Sequence, residues 1–590
     1  MIRPNGALII KTLLLIVVLL SVLTIYGVAW NIPYFKLVGL IVVALSVILS
    51  IIFVGGLDIA LLTFIVTLIP MVLNLSYELI SKYPLGADVH SEYFVIKKMQ
   101  ICTQLTEIQK EAKALFGIPE YYSEILNLIF YSDMISRVLG IDSLYVIKFL
   151  WNSLILGLIP LVTFMYTYRL MDDKKSAVIA SVLVFVQSTY IITLHSTVKH
   201  VISLFLAVIV ILLVLRTLGW GEVRKDFPTL IILVTGLTGY HYLTSGTIII
   251  VFFMSLALFY LVAMVFKSKS QSLLFLSRSL KTISYIVLFF ILIWITWYFI
   301  MFQSIIKPIV DLITRLFTLE EAGYYYEKIN VPLHVLVNII RLGINGIIVI
   351  SILVSGVLAF MNIKKGNIID SLIAVSSVIL SLGTVSELLG ISTLGIGRVF
   401  LTLLIFVAPY FFSAMALIVH KLFGIFRNTA ITTLLLVSLI LATRLLISVG
   451  VIPYIFSDVK NSIFMNPNYK YITSLTHADL HATIFVVDMT PINNKIYIGS
   501  DYIGRIPFIY VCVKTCNITF VNYFVSLSDE KAHPHFIYLV FLSSYNVIGR
   551  TIQISVTEFN DLSEYLPHIK SANSLIYGNG FAYIFRLRGS

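Results

Sequence analysis

The sequence predicts an α-helical polytopic membrane protein of about 13 transmembrane helices. It adds amphipathic juxtamembrane helices in the first long external loop and a small external C-terminal α+β domain. Three observations predict this. Of 590 residues, 59% are hydrophobic and only 12% are charged, too little charge to cover a soluble fold of this length. Mean hydropathy is +0.99, and apolar runs of about 18 or more residues recur along the first three quarters of the chain, each able to cross ~30 Å of hydrocarbon. After residue 450 the texture changes to short β-branched and aromatic runs between turn residues, the pattern of strands.

The spans fall near 7–29, 34–54, 57–79, 144–168, 175–194, 200–219, 228–242, 244–266, 281–303, 333–361, 368–389, 398–419 and 429–449. The first lacks a small-residue cleavage site and is followed by more spans, so it reads as a retained helix. With Arg3 and Lys11 in the cytoplasm, alternation places DDKK (172–175), GEVRKD (221–226), IKKGN (363–367) and HKLFGIFRN (420–428) on the same side. The connections near 30–36, 195–199 and 391–397 carry one Lys or Arg or none. That asymmetry predicts a multi-pass protein of the cell membrane, with a cytoplasmic N-terminus and an external C-terminus. The net charge of +12 is spread through these loops and forms no basic face, which excludes a nucleic-acid partner.

The first external segment, 80–143, contains TQLTEIQKEAKALFG and then PEYYSEILNLIFYSDMISRVLG. In the second, Tyr122, Ile125, Leu126, Ile129 and Phe130 recur at helical spacing, with Glu124, Asp133 and Arg137 between them. They predict helices lying on the outer membrane surface. A smaller loop, 304–332, contains EEAGYYYEK. Beyond 455, ATIFVVD, KIYIG, FIYVCVK, ITFVNYF, HFIYLVF and TIQISV read as strands, and YGNG (577–580) as a hairpin turn. Three cysteines are too few for a disulfide scaffold or a four-ligand zinc site. Cys512 and Cys516 bracket only VKT, a loop that would strain a bridge. Asn517-Ile-Thr is a glycosylation sequon.

Chemistry gathers at the outer ends. Glu78, Arg341, Glu387, Arg398 and Arg444 lie in or beside spans and map to the outer half. An ionisable group there costs a few kcal/mol or more and is usually paired or functional. Lys199 and His200, and Tyr240, His241 and Tyr242 of GYHY, sit at outer tips. The stretch KYPLGADVHSEYF (82–94) adds Asp88, His90 and Glu92, and together these residues would line one cavity open to the exterior. If 86–93 is extended, all three acidic and imidazole groups share a side; if helical, Asp88 and Glu92 share a face and His90 points away. The carboxylate pair suits a divalent cation (Mg or Mn) or a general base; the plain reading is a helix cap with solvated loop charges. Arg398 follows GIG, at the depth of a lipid phosphate, for which arginine offers a planar fork, or it snorkels. Arg341 and Arg444 lie a turn or two deeper. A lone loop lysine such as Lys199 is ordinarily solvated. His477, Asp479 and His481 in HADLH have ligand-like spacing but no fourth partner nearby, and the plain reading is a strand edge.

These residues resemble a known arrangement. LGADVHSEY after the third span, the following helices at 103–138, the HY pair and the Arg at the head of a late span are similar to membrane glycosyltransferases of the GT-C class, in particular an archaeal branch of it. GIDSLYVIKFLWNSLILGLIPLVTFMY and GIGRVFLTLLIFVAPYFF share its texture. The resemblance covers 56–450, a GT-C-like catalytic module with external loop 80–143, preceded by a transmembrane hairpin (1–55) and followed by the external domain 455–590. Two features depart from it: the extra hairpin, and VKHVIS (198–203) where the family shows a basic residue followed by Gln or Glu.

The resemblance implies transfer of a sugar from a polyprenyl-phosphate donor to an external acceptor, protein or glycan. Asp88 would be the base or metal-ordering carboxylate, with His90 and Glu92 supporting. Arg398, Arg341, Lys199, His241 and Tyr242 would hold the lipid phosphate or donor. No P-loop or Rossmann glycine pattern is present, as suits a lipid-phosphate leaving group. The rivals are a transporter or flippase, for which repeats and broken helices are the expected signs, and a non-catalytic scaffold of a surface assembly.

Overall fold

The computed structural model describes residues 4–84, 87–101, 126–220, 223–265, 272–301, 335–363, 368–388, 396–423, 429–456, 464–465, 477–488 and seven strands between 495 and 587. The chain is α-helical and multi-pass. Helices lie along the predicted spans, with 7–29 divided into two and 175–194 cut short; among the described residues seven helices are long and apolar enough to cross a membrane, and five shorter apolar helices accompany them.

The chain begins with α1 (Pro4–Leu20), α2 (Leu23–Ala29) and α3 (Pro33–Ile52), the last with proline in its first turn, where the missing N–H costs nothing. A Cβ on Gly27 or Gly39 would collide with the facing backbone of the α2–α3 hairpin, so glycine sets this close approach. The hairpin is no appendage, because α3 packs along the late helix Thr429–Ser448 and one apolar core runs from Leu14 to Phe464.

Next come α4 (Ile59–Glu78), α5 (Ala87–Ile101), α6 (Leu126–Leu139) and α7 (Ser143–Met171). Asp58 caps α4 through the Leu61 amide (2.8 Å), and Asp142 caps α7 through the Leu144 amide (2.8 Å), each satisfying an orphan donor. Residues 146–155 of α7 form a π-helix, a wider turn that often marks functional positions. Two successive aspartates make the next turn. Asp172 takes the left-handed conformation that closes α7, and Asp173 caps α8 (Lys174–Phe185) through the Lys175 and Ser176 amides.

Helix α8 is buried on all sides from Ser176 to Phe185 and contacts α7 and the late helix Ile396–Phe423. The sequence reads 175–194 as one span, but the helix stops at Phe185. A π turn (Thr189–Thr193) and a 3-10 turn (Leu194–Ser196) then lead to α9 (Val198–Trp220). The polar run Gln187-Ser188-Thr189 falls at the break. The later helices are α10 (Val223–Tyr240), α11 (Tyr242–Val265), α12 (Ser272–Ile295), α13 (Val335–Ile363), α14 (Ile368–Leu388), α15 (Ile396–Phe423) and α16 (Thr429–Ser448), with a short α17 (Val451–Ile455).

The amphipathic pattern expected of the juxtamembrane segment is present in α6. Leu128, Ser132 and Ser136 are buried, while Phe130, Met134 and Val138 face outward uncovered by protein, as on a helix resting in lipid. TQLTEIQKEAKALFG and the loop 304–332 lie outside the described residues.

In the C-terminal region, α18 (His477–Asp488) precedes β1 (Lys495–Gly499), β2 (Ile518–Val521), β3 (Phe536–Leu542), β4 (Thr551–Ser555), β5 (Glu558–Asp561), β6 (Asn573–Gly578) and β7 (Tyr583–Leu587). The five-stranded sheet runs β2-β1-β3-β7-β6, parallel across its first three strands and antiparallel across the rest; β4 and β5 pair separately. Strands β6 and β7 flank the predicted YGNG turn. ATIFVVD is a correction: it lies in α18, not in a strand, because a short apolar run fits either period. HADLH is therefore the start of a helix, not a strand edge. FIYVCVK, the two late cysteines and Asn517 lie outside the described residues.

Candidate functional site

At one end of the bundle, the last turn of α4, the π-helical part of α7 and the irregular segment before α9 share a buried polar network. The Tyr190 hydroxyl donates to the Leu156 carbonyl (2.7 Å) and accepts from Asn74 Nδ2 (3.1 Å). That turns the Asn74 oxygen toward His195 Nε2 (3.2 Å), so Nε2 is the donor. His195 Nδ1 and Glu78 Oε1 stand 2.8 Å apart, both fully buried. Asn152 Nδ2 donates both to Glu78 Oε1 (2.9 Å) and to the His195 carbonyl (3.0 Å), and the Tyr77 ring lies against that of His195 at 4.4 Å. Lys148, one π turn before Asn152, donates to the Ser81 and Lys82 carbonyls (2.5 and 3.1 Å) just past the end of α4. A cation there meets the negative end of that helix.

The second junction joins α5 to α9. Glu92 is buried, its Oε2 accepts the Val198 amide (2.8 Å), and its Oε1 stands 3.8 Å from Lys199 Nζ. Val198 opens α9, so Glu92 satisfies one orphan donor from a different helix and opposes the positive end of the dipole. The stretch around Asp88 is helical, which places Asp88 one turn before Glu92. His90 is fully buried on α5, away from Glu92 as the helical alternative requires. Burial lowers its basicity, the Pro84 carbonyl opposes this and the Lys148 charge reinforces it, for a net pKa of about 3. The outer flank of α5 is tied to α7 through Asp142, which accepts from Tyr93 (3.2 Å) and Lys97 (2.8 Å). Burial and then the Asp142 charge raise the Tyr93 phenol above its ordinary range, so it stays a donor.

Third, His200 of α9 and His241, between α10 and α11, are buried with ring centroids 3.7 Å apart. His241 Nδ1 accepts the Thr244 amide (3.1 Å), so its proton is on Nε2. The Thr244 hydroxyl lies 3.0 Å from His241 Nδ1 and 3.4 Å from His200 Nδ1, with Ser203 Oγ 3.2 Å away.

Of the residues singled out in sequence, the structure brings together Glu92 with Lys199, and His241 with His200. Arg341 is half-buried on α13 and donates to Asn338 (3.0 Å). The side chains of Asp88, Tyr242, Glu387, Arg398 and His477 lie outside the described residues. Among the described residues no three His, Cys, Asp or Glu side chains group as metal ligands. Asn74, Lys148, Asn152, Tyr190 and His195 were missed. Lys148 alone carried a local signal, as a charge within a predicted span.

No family model matches the chain, and no curated protein matches it in sequence. Among solved structures it is similar to the oligosaccharyltransferase of Archaeoglobus fulgidus in its apo form, with a TM-score of 0.45 and 11% identity over 78% of this chain and 64% of that one. The chain thus spans 64% of the length of that protein. It is also similar to ArnT from Cupriavidus metallidurans bound to undecaprenyl phosphate, with a TM-score of 0.43 and 10% identity over 90% and 97% of the two chains. Likeness at this level transfers no residue role.

Proposed function

We propose that the chain is a membrane glycosyltransferase that moves a sugar from a polyprenyl-phosphate donor to an acceptor hydroxyl on the outer face of the membrane. The observation that carries this reading is the α5–α9 junction. Glu92 ties the helix bearing Asp88 to the helix start bearing Lys199 and His200, at the same end of the bundle as the Glu78–His195 pair.

The step is an inverting displacement. The acceptor oxygen bonds to the anomeric carbon as the bond to the phosphate oxygen breaks, and the electron pair leaves with the polyprenyl phosphate. Asp88 takes the hydroxyl proton, the role expected of a positioned carboxylate. Lys199, Arg398 and the Nε2–H of His241 are the groups of this chain suited to the charge that grows on the departing phosphate, a preorganised electrostatic contribution worth several kcal/mol. Tyr242 follows His241 directly and belongs to the donor side. Glu92 and His90 act as positioning residues: one fixes α5 on α9, the other packs α5 inward. The acceptor, protein or glycan, meets the site from outside, and the domain at 455–590 stands on that side.

The test is Asp88→Asn in cells carrying the protein, read as the mass of surface glycan. The expected result is loss of the added sugar at normal protein level; an unchanged glycan at normal level overturns the catalytic assignment.

A further inference from the structure

We propose that Phe464 is a positioning residue for the transfer step: through Tyr77 it holds His195 and the irregular segment from which α9 departs. It thereby ties the C-terminal region to the buried polar end. Gly450, between α16 and α17, takes a left-handed conformation (φ 84°), a sharp turn that glycine makes without strain. Between Phe456 and α18 the described residues are Phe464 and Met465, and both are buried. The Phe464 ring meets the Tyr77 ring edge-on, centroids 6.2 Å apart, and belongs to the same apolar core as the spanning helices. Helix α18 and the sheet follow it in the chain.

Tyr77 is where apolar packing meets the polar network. Its ring lies 4.4 Å from that of His195, while Asn74 and Glu78 of the same helix meet the two imidazole nitrogens. His195 stands in the 3-10 turn (Leu194–Ser196) that follows the π turn (Thr189–Thr193). Such short turns have poorer hydrogen bonds than an α-helix, so side-chain contacts set their position. Three residues past His195, Val198 opens α9 and gives its amide to Glu92 of α5. The line of contact thus runs from Phe464 through Tyr77 and His195 to the helices that carry Lys199 and Asp88.

Close packing makes that line stiff. Truncating Phe464 leaves a cavity against Tyr77, and the surrounding groups relax only partly into it. A misplacement of ~1 Å at the reacting groups costs up to about 100-fold in rate. Lys199 opposes charge that grows on the departing phosphate, so its displacement weakens the transition state more than the ground state. The effect therefore falls on kcat. The inference rests on the transferase reading for the step affected, and on the contacts alone for the coupling.

The test compares full chains in proteoliposomes: the parent, Phe464→Ala, Phe464→Leu, and Phe411→Ala, which truncates another buried ring, on α15. Donors are undecaprenyl-phosphate hexoses and acceptors are methyl hexosides. Per folded molecule, Phe464→Ala is expected to lower kcat by about tenfold or more, with both KM values within about twofold of the parent. Phe464→Leu should recover most of the rate, and Phe411→Ala should lower the unfolding midpoint while leaving kcat as in the parent. Hydrogen–deuterium exchange on the same proteins needs no turnover: Phe464→Ala should speed exchange in 74–82 and 189–198, and Phe411→Ala should not. Should Phe464→Ala not fold, Phe464→Val carries both readouts, with a fall in kcat of about threefold. A parent chain without transfer overturns the transferase reading, and exchange then decides the coupling alone. Unchanged kcat in a folded Phe464 variant, an equal fall in Phe411→Ala, or faster exchange confined to the neighbourhood of residue 464 overturns the positioning role.

Discussion

The two ends of the helical bundle treat polar groups in opposite ways. At one end Lys11 pairs with Asp58 (2.8 Å) at the surface, Lys174 donates to the Leu57 carbonyl (3.0 Å), and Asp58 and Asp173 cap their own helices. The two caps are local and start their helices, the Lys11–Asp58 pair is exposed, and the Lys174 bond, though it spans 117 positions, joins a lysine to a backbone carbonyl and not to a buried charge. At the other end Glu78 and His195 are 117 positions apart, Glu92 and Val198 are 106 apart, and all are buried. Burying charge is costly, and leaving its partners unmade is costlier. The difference directs the search for function to the second end, where several such bonds gather; at the first end Asp370 is buried and accepts from Tyr410 (2.6 Å).

The contrast sets an order of effects. Glu78→Ala leaves His195 and Asn152 without their buried partner, and should cost about 3–5 kcal/mol in unfolding followed in detergent. A loss no larger than that of a surface substitution would break the comparison. Glu92→Ala removes a charged acceptor from the first amide of α9, which should cost about 1.5–3 kcal/mol, and should lower transfer further by freeing α5.

His90 gives a pH effect of known sign. Its folded pKa of about 3 lies below the unfolded ~6.5, so the unfolded chain binds more protons between those values. Stability is then complete above about pH 6.5 and falls as the pH drops toward 3, by about 2 kcal/mol at about pH 5. In His90→Phe that component of the pH profile should flatten; an unaltered profile would remove His90 as its source. The smallest effect is expected at the opposite end, where Lys11→Ala should leave the unfolding midpoint unchanged, since exposed pairs are screened.

Most of the helical architecture was legible because apolar length is a local property, and helices lie along the predicted spans. The break after Phe185 was not, since Tyr190, Ile191 and Leu194 are as apolar as the helix before them and only Gln187-Ser188-Thr189 hinted at it. Of the site, Glu78, Lys199 and His241 stood out as polar groups in apolar surroundings. Asn74, Asn152 and Tyr190 did not, because amides and phenols are unremarkable in a helix until their partners are known, and those partners lie on other helices. The strand reading of ATIFVVD failed for a related reason: β-branched content describes the side chains, while the first turn, with Asp479 buried in it, makes the helix.

The central claim, that the buried polar end transfers sugar from a lipid phosphate, is tested most directly with purified protein in proteoliposomes. The measurement is the rate of sugar release from a polyprenyl-phosphate sugar to an added acceptor, for the parent chain and for Asp88→Asn at equal folded amount. The account predicts turnover by the parent and a fall of about 100-fold or more in the variant. Equal rates in the two would contradict it.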